Sequence, residues 1–220
     1  MIKFGFCSTG LIKTKQSLIH IFCIEQNYFL HKREHHEISV EPEIFLKPQS
    51  ALSKAGTGFQ YPAFANELYC GCELVLHISE SGKDIQENLA GNYYDAITVG
   101  INFTALGNKD LLNEKGLTWE KAKAWDNSSI PGTWMPVTDF KDKKDINFCL
   151  YKNRELVQLG NSGLMINDFN AIISCISTIF PLRTGDLIFT GNPAGISKLM
   201  AGDKLEAFIE DDSLLEFEIG

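Results

Sequence analysis

The sequence is poor in cysteine, in positive charge and in long apolar runs, and each shortage excludes a class of protein. Six cysteines among 220 residues are too few for a disulfide-stapled scaffold, so we expect a reduced, cytoplasmic protein. The 20 basic residues are outnumbered by 28 acidic ones, and the net charge of −8 disfavours nucleic acid or an anionic membrane as a partner. No run reaches the roughly 18 apolar residues of a membrane span, and polar residues interrupt the first 23 residues, so we expect neither an anchor nor a secretory signal.

The sequence also lacks the short motifs that identify common enzyme classes. It contains no Gly-x-Ser-x-Gly elbow, no Walker loop, no dinucleotide fingerprint and no His-Glu-x-x-His zinc motif. Cys70 and Cys72 lie close together, but a zinc site needs about four ligands and no second pair completes one. Strand alternation places these thiols on the face opposite Gly71 and Glu73, which disfavours a redox or soft-metal site beside that carboxylate.

The apolar pattern predicts many short strands and few helices. Strands are expected at residues 18–24, 69–78, 96–103, 187–189, 205–209 and 215–219, and a hairpin at 146–159. Helices are expected at 84–92 and 111–125, and the clearest one follows the N-cap Asp168 and stops at Pro181. Because strands and helices do not alternate regularly, we predict an α+β fold with a mixed or antiparallel sheet.

Two groups of residues have the chemistry of a catalytic site, although spacing alone does not decide their role. His31-x-x-Glu34 can place an imidazole and a carboxylate on adjacent helical turns, as in an oriented general base. The neighbouring His35 and His36 favour, from spacing alone, the alternative of a merely polar loop. Lys123 lies in a helical stretch, where a lysine is more often a solvated surface group.

Several separate segments, in this order along the chain, resemble the fumarylacetoacetate hydrolase family. The resemblance extends from about residue 18 to the C-terminus and includes the candidate dyad and the segment that ends at Lys123. The matching segments are residues 23–28, 31–34, 41–48, 69–74, 99–105, 119–123, 160–162 and 185–195. Residues 1–17 have no counterpart and are predicted to be an N-terminal extension to a single catalytic domain at 18–220.

The resemblance implies a strand-rich, mixed β-roll that forms a homodimer and binds Mg²⁺ or Mn²⁺. It implies cleavage of C–C bonds next to carbonyls in acylpyruvates and related oxo acids, or decarboxylation or isomerisation of such acids. His31 and Glu34 would activate water, and Lys123 would stabilise the enolate. Thr190 and Gly191 would line the substrate pocket.

The sequence departs from the family pattern at the metal ligands. The family binds its ion through Glu-x-Glu on one strand and an Asp on a neighbouring strand, but here those positions are Gly71, Glu73 and Asn102. The remaining candidate ligands, Glu73 and Asn102, predict an ion that is held weakly or only together with substrate, or no ion at all. An alternative hypothesis is therefore a catalytically inert relative that serves as a dimeric binding or regulatory protein.

Overall fold

The computed structural model describes residues 19–29, 41–53, 59–105 and 120–220. The expected N-terminal extension at 1–17 lies outside this part of the chain, and so do the candidate catalytic residues His31 and Glu34. Twelve strands are described, numbered in chain order: β1 (Ile21–Glu25), β2 (Glu43–Lys47), β3 (Leu68–Ile78), β4 (Tyr94–Ala105), β5 (Ser129–Pro131), β6 (Met135–Pro136), β7 (Asn147–Lys152), β8 (Glu155–Asn161), β9 (Leu187–Phe189), β10 (Ser197–Leu199), β11 (Lys204–Ile209) and β12 (Asp212–Glu218).

The strands form two sheets. The larger sheet has eight strands in the order β2-β1-β9-β3-β4-β5, with β10 paired to β3 and β6 paired to β4. Its β1 and β9 are parallel and its other pairs are antiparallel. The smaller sheet is antiparallel, with the order β12-β11-β7-β8. The predicted strand-rich α+β fold with a mixed sheet is confirmed.

Strand β3 lies at the centre of the larger sheet and is buried on both faces. Leu74 and Leu76 belong to the main hydrophobic core on one face, whereas Val75 packs with Cys23 and Phe189 on the other. The predicted alternation of β3 is therefore correct. Glu73 shares the face of Val75, so its carboxylate enters an apolar environment.

Cys70 and Cys72 lie on the other face, within the main core, as alternation predicts. Burial raises the pKa of Cys70 to about 12 and the pKa of Cys72 well above its ordinary value. Both thiols therefore stay protonated at neutral pH and are poor nucleophiles and ligands. No group of three His, Cys, Asp or Glu side chains suited to a metal occurs among the described residues.

The described α-helices are α1 (Glu120–Lys123) and α2 (Phe169–Ile179). Helix α2 confirms the clearest helix prediction, because the Asp168 carboxylate accepts hydrogen bonds from the backbone N–H groups of Asn170 and Ala171, at 3.1 and 3.0 Å. Its apolar stripe packs into the main core.

Four further segments of the described ranges are 3₁₀ helices, at Gln49–Ala51, Glu87–Asn92, Val137–Asp139 and Ser162–Leu164. The helix predicted at 84–92 is thus a 3₁₀ helix that starts three residues later. Of the helix predicted at 111–125, only α1 is helical in the described residues, and 111–119 lie outside them. No helix in the described ranges is long and apolar enough to cross a membrane.

Candidate active site

The side chain of Glu73 is the point at which three predicted site residues meet. In the antiparallel register of β3 and β4, Asn102 lies opposite Gly71, which is two residues from Glu73 on the same face of β3. The side-chain amide of Asn102 donates a hydrogen bond to Glu73 Oε1 at 2.8 Å. The backbone N–H of Gly191 donates to Glu73 Oε2, also at 2.8 Å. Both carboxylate oxygens therefore have an N–H donor.

Glu73 is only 2% exposed, and this burial controls its protonation. Burial raises the pKa of Glu73 to about 7, although the nearby Lys123 charge and the two hydrogen bonds favour the ionised form. The carboxyl group is thus poised near neutrality in a site with little water. Such a group can exchange a proton at physiological pH.

Lys123 lies at the end of α1 and is largely buried, in contrast to the usual surface lysine. Its Nζ is 3.5 Å from Glu25 Oε2 and 5.5 Å from the ring centroid of Phe45. Its charge also acts on Glu73. The structure therefore brings Lys123 together with the residues of the predicted metal site.

Lys47 is a second buried ammonium near this site, and sequence reasoning did not select it. Its Nζ donates hydrogen bonds to the carbonyl oxygen and the hydroxyl oxygen of Ser128, at 2.8 and 3.2 Å. Burial, together with the charge of Lys123, lowers the pKa of Lys47 to about 7. The available signal was its position after three apolar residues and before Pro48, where strand β2 ends.

Glu25, the last residue of β1, and Asn27, just after that strand, also belong to the site and were not selected from sequence. The Asn27 amide donates hydrogen bonds to the backbone oxygens of Thr190 and Asn167, at 2.8 and 3.0 Å. Asn27 thus fixes the loop that follows β9 against the end of β1. The signal for both residues was their place in the matching segment 23–28.

The predicted substrate-contact residues Thr190 and Gly191 begin that loop. The backbone N–H and the hydroxyl of Thr190 both donate to the carbonyl oxygen of Leu74, at 3.1 and 2.9 Å. Gly191 has φ +103°, and a Cβ there would lie 2.7 Å from Cβ of Asn27, so this position requires glycine. These bonds place the loop over Glu73, while a substrate contact by either residue stays a prediction.

The space beside Gly71 is filled by a side chain from the same loop. A Cβ added at Gly71 would collide with the amide group of Asn192. The Oδ1 atom of Asn192 accepts a hydrogen bond of 2.7 Å from the side-chain amide of Gln158. Sequence reasoning selected neither Asn192 nor Gln158.

This donor set does not fit a resident divalent ion. Glu73 contacts Asn102 and Gly191 through its carboxylate, and both its oxygens already accept hydrogen bonds. Asn102 Oδ1 is buried without a hydrogen-bond partner in the described part of the chain, which leaves a neutral oxygen. A hard cation such as Mg²⁺ or Mn²⁺ needs several strong oxygen ligands and is repelled by the Lys123 ammonium.

Comparison with known proteins places this chain in a family of enzymes. The chain is 31% identical to the mitochondrial oxaloacetate tautomerase FAHD1 of Rattus norvegicus over 201 residues, which cover 91% of each chain. It is 30% identical to the mitochondrial oxaloacetate decarboxylase of Dictyostelium discoideum over 202 residues, which cover 90% of this chain and 93% of that one.

Solved structures agree with these sequence matches. The fumarylpyruvate hydrolase of Pseudomonas aeruginosa, solved in complex with Mn²⁺ and pyruvate, superposes with a TM-score of 0.83 at 27% identity, covering 92% of this chain and 89% of that one. A divalent metal thus occurs in a relative of this fold. The Fumarylacetoacetate (FAA) hydrolase C-terminal family matches residues 20–220, so the chain belongs to the fumarylacetoacetate hydrolase family of enzymes, as the sequence resemblance predicts.

Proposed function

We propose that the chain is an enzyme that forms an enolate from a small 2-oxo acid, by hydrolysis of an acylpyruvate or by decarboxylation or isomerisation of a related acid. The observation that carries the proposal is the buried Lys123 ammonium, held 3.5 Å from Glu25 and acting on the charge of Glu73. A buried cation is one of the groups that stabilise an enolate oxygen and bind a 2-oxo carboxylate. The names of the tautomerase and decarboxylase relatives support an oxo acid substrate.

The hydrolytic version of the reaction assigns a role to each predicted catalytic and substrate-contact residue. His31 and Glu34 would take a proton from water, which attacks the carbonyl carbon of the acyl group. The C–C bond then breaks and its electron pair becomes the enolate of pyruvate, whose oxygen Lys123 stabilises and whose carbon is then protonated. Thr190 and Gly191 would contact the substrate at the loop over Glu73. No step is assigned to a bound metal, because the described residues do not fit one.

The cellular setting is part of the same proposal. We propose a cytoplasmic homodimer whose partner is the oxo acid, with neither nucleic acid nor membrane involved. The described cysteines, residues 23, 70, 72, 149 and 175, are all free thiols, which supports a reducing compartment. The dimer rests on the family resemblance, and light scattering of the purified protein would test it.

The test compares two lysines of the same helix. Oxaloacetate tautomerisation, oxaloacetate decarboxylation and acylpyruvate cleavage are measured for the wild type, Lys123→Met and Lys121→Met, with and without Mn²⁺. Lys121 is exposed whereas Lys123 is buried, so we expect Lys123→Met to lower kcat/KM roughly 100-fold or more and Lys121→Met to leave it unchanged. Wild-type rates equal to background in all three assays would contradict the proposal.

A second candidate function is a binding protein without turnover. Two observations favour a binding protein. Both oxygens of Glu73 already accept hydrogen bonds, and the Asn192 amide fills the space beside Gly71, so neither position is open to a catalytic ion. Oxalate, which imitates the enolate of pyruvate, would then raise the unfolding temperature of the wild type but not of Lys123→Met. The rates of the wild type and of His31→Ala would both stay at background.

A further inference from the structure

One edge of β3 is left open between two strand partners. Strand β10 pairs with β3 at Leu68–Cys70, and β9 pairs with the same edge at Val75–His77. The other edge of β3 pairs continuously with β4. The four residues between, 71–74, therefore need other partners for their backbone groups on this edge.

Thr190, just after β9, supplies a partner for the carbonyl oxygen of Leu74, and the side chain of Gln158 supplies one for Cys72. Gln158, from β8 of the smaller sheet, accepts a hydrogen bond of 2.7 Å from the backbone N–H of Cys72. Its amide nitrogen donates to Asn192 Oδ1 at 2.7 Å and to the Pro193 oxygen at 2.8 Å. Gln158 is 3% exposed, so these bonds form away from water. They fix the Asn192 side chain against Gly71.

We propose that the Asn192 amide, anchored by Gln158, occupies the space that a metal-binding carboxylate at residue 71 would need. The site around Glu73 therefore has no resident divalent ion. Gly71 and Asn192 are then an interdependent pair, because a side chain at 71 and the amide of Asn192 need the same space. The Asn102 and Gly191 N–H groups satisfy the Glu73 oxygens in place of an ion. This inference rests on the fold and the contacts, and not on the proposed reaction.

The first test measures the interdependence through stability. Gly71→Ala should lower the unfolding temperature by roughly 5 °C in the wild type because its Cβ collides with Asn192. In an Asn192→Ala background, which removes the colliding atoms, the same change should cost nothing. Gly100→Ala is the matched control, since its Cβ would meet Val75 and Phe189 instead, and its cost should be equal in both backgrounds. An equal cost of Gly71→Ala in both backgrounds would overturn the pairing.

The second test measures Mn²⁺ alone, by electron paramagnetic resonance of the free ion. The wild type should bind no more Mn²⁺ than Glu73→Gln, because under this proposal Glu73 of the wild type holds no ion. The variant Gly71→Glu/Asn102→Asp/Asn192→Ala should gain one Mn²⁺ per chain. A wild-type site that Glu73→Gln abolishes, or a folded triple variant without the gain, would overturn the proposal.

Neither test requires an assay of turnover, because the first measures unfolding temperature and the second measures Mn²⁺ binding. The stability cycle decides the pairing even if the triple variant does not fold. An inactive wild type that passes both tests would contradict the proposed function and leave this inference standing. An active wild type that binds Mn²⁺ through Glu73 would do the reverse.

Discussion

The Lys123 ammonium and the Glu25 carboxylate face each other at 3.5 Å, and their side chains are 10% and 19% exposed. Glu25 ends strand β1, whereas Lys123 ends helix α1, so the pair connects two elements that are about 100 residues apart in the chain. At this burial, removing one partner leaves a charge in a poorly solvated site. The pair thus fixes the cation at the centre of the proposed site.

We expect this pair to be energetically coupled. Glu25→Gln and Lys123→Met should each lower the free energy of unfolding by about 1–3 kcal/mol. The double variant should be more stable than the sum predicts, by about 1 kcal/mol, because the two charges are removed together. Urea unfolding of the four proteins measures this coupling, and strict additivity would show that the two charges do not interact.

The buried Lys47 predicts a specific pH dependence of stability. Its pKa falls from 10.5 to about 7 on folding, so between these values the unfolded chain holds one proton more than the folded chain. The free energy of unfolding should therefore rise with pH across this window, with a slope of at most about 1.4 kcal/mol per pH unit from this group. Lys47→Met removes this pH-dependent contribution. The free energy of unfolding of Lys47→Met, relative to that of the wild type, should therefore be higher at pH 6.5 than at pH 9.5.

Exposed Lys121 provides the control for that experiment. Lys121→Met removes an equal charge from a solvated position, so its difference from the wild type should be the same at both pH values. If Lys47→Met behaved in the same way, the ammonium of Lys47 would have an ordinary affinity for its proton.

The N-cap of α2 gives a test of the fold outside the site. Asp168→Ala should cost about 1 kcal/mol, or about 2–4 °C in unfolding temperature, because the N–H groups of Asn170 and Ala171 lose their acceptor. Asp168→Ser should retain most of the stability. Asp168 also pairs with Lys144 at 3.2 Å, but that side chain is 77% exposed, so Lys144→Ala should change little. An equal loss in all three variants would point away from capping.

Local patterns in the sequence were enough to predict the strands and the main helix. The alternation in β3 identified the faces of Leu74 and Glu73. The Asp168 cap located the start of α2, and Pro181 located its end to within a residue. Strand β2 and the short strands β5, β6 and β10 were not predicted. The last three have only two or three residues, which carry no period, and each exists only through its pairing with β3 or β4.

The contacts within the site depend on residues far apart in the chain. Gly191 is 118 residues from Glu73, and Gln158 is 86 residues from Cys72. No spacing rule connects such residues, and the burial of Lys47 likewise depends on the distant Ser128. The family resemblance could identify the changed ligands at 71 and 102, but only the fold shows that Asn192 takes the space beside Gly71.

Restoring a carboxylate at Asn102 is the most direct test of this electrostatic arrangement. Asn102→Asp replaces the N–H₂ donor of Glu73 by a second buried carboxylate, so it should destabilise the protein by about 2 kcal/mol or more at pH 8. Two adjacent carboxylates raise the folded-state pKa of the pair above its unfolded value, so the folded chain holds more protons than the unfolded chain between the two. The loss should therefore grow as pH rises through the folded pKa and be smaller at pH 5.5.

Asn92→Asp, at an exposed position in the Glu87–Asn92 helix, adds the same charge without a buried neighbour and should change stability little at either pH. Chemical unfolding at pH 5.5 and pH 8 measures both variants. A pH-independent loss in Asn102→Asp would mean that the new carboxylate does not interact with Glu73. A loss that disappears at pH 5.5 would show that ionisation of the buried carboxyl groups, and not a change of shape, sets the cost of an acidic residue at 102.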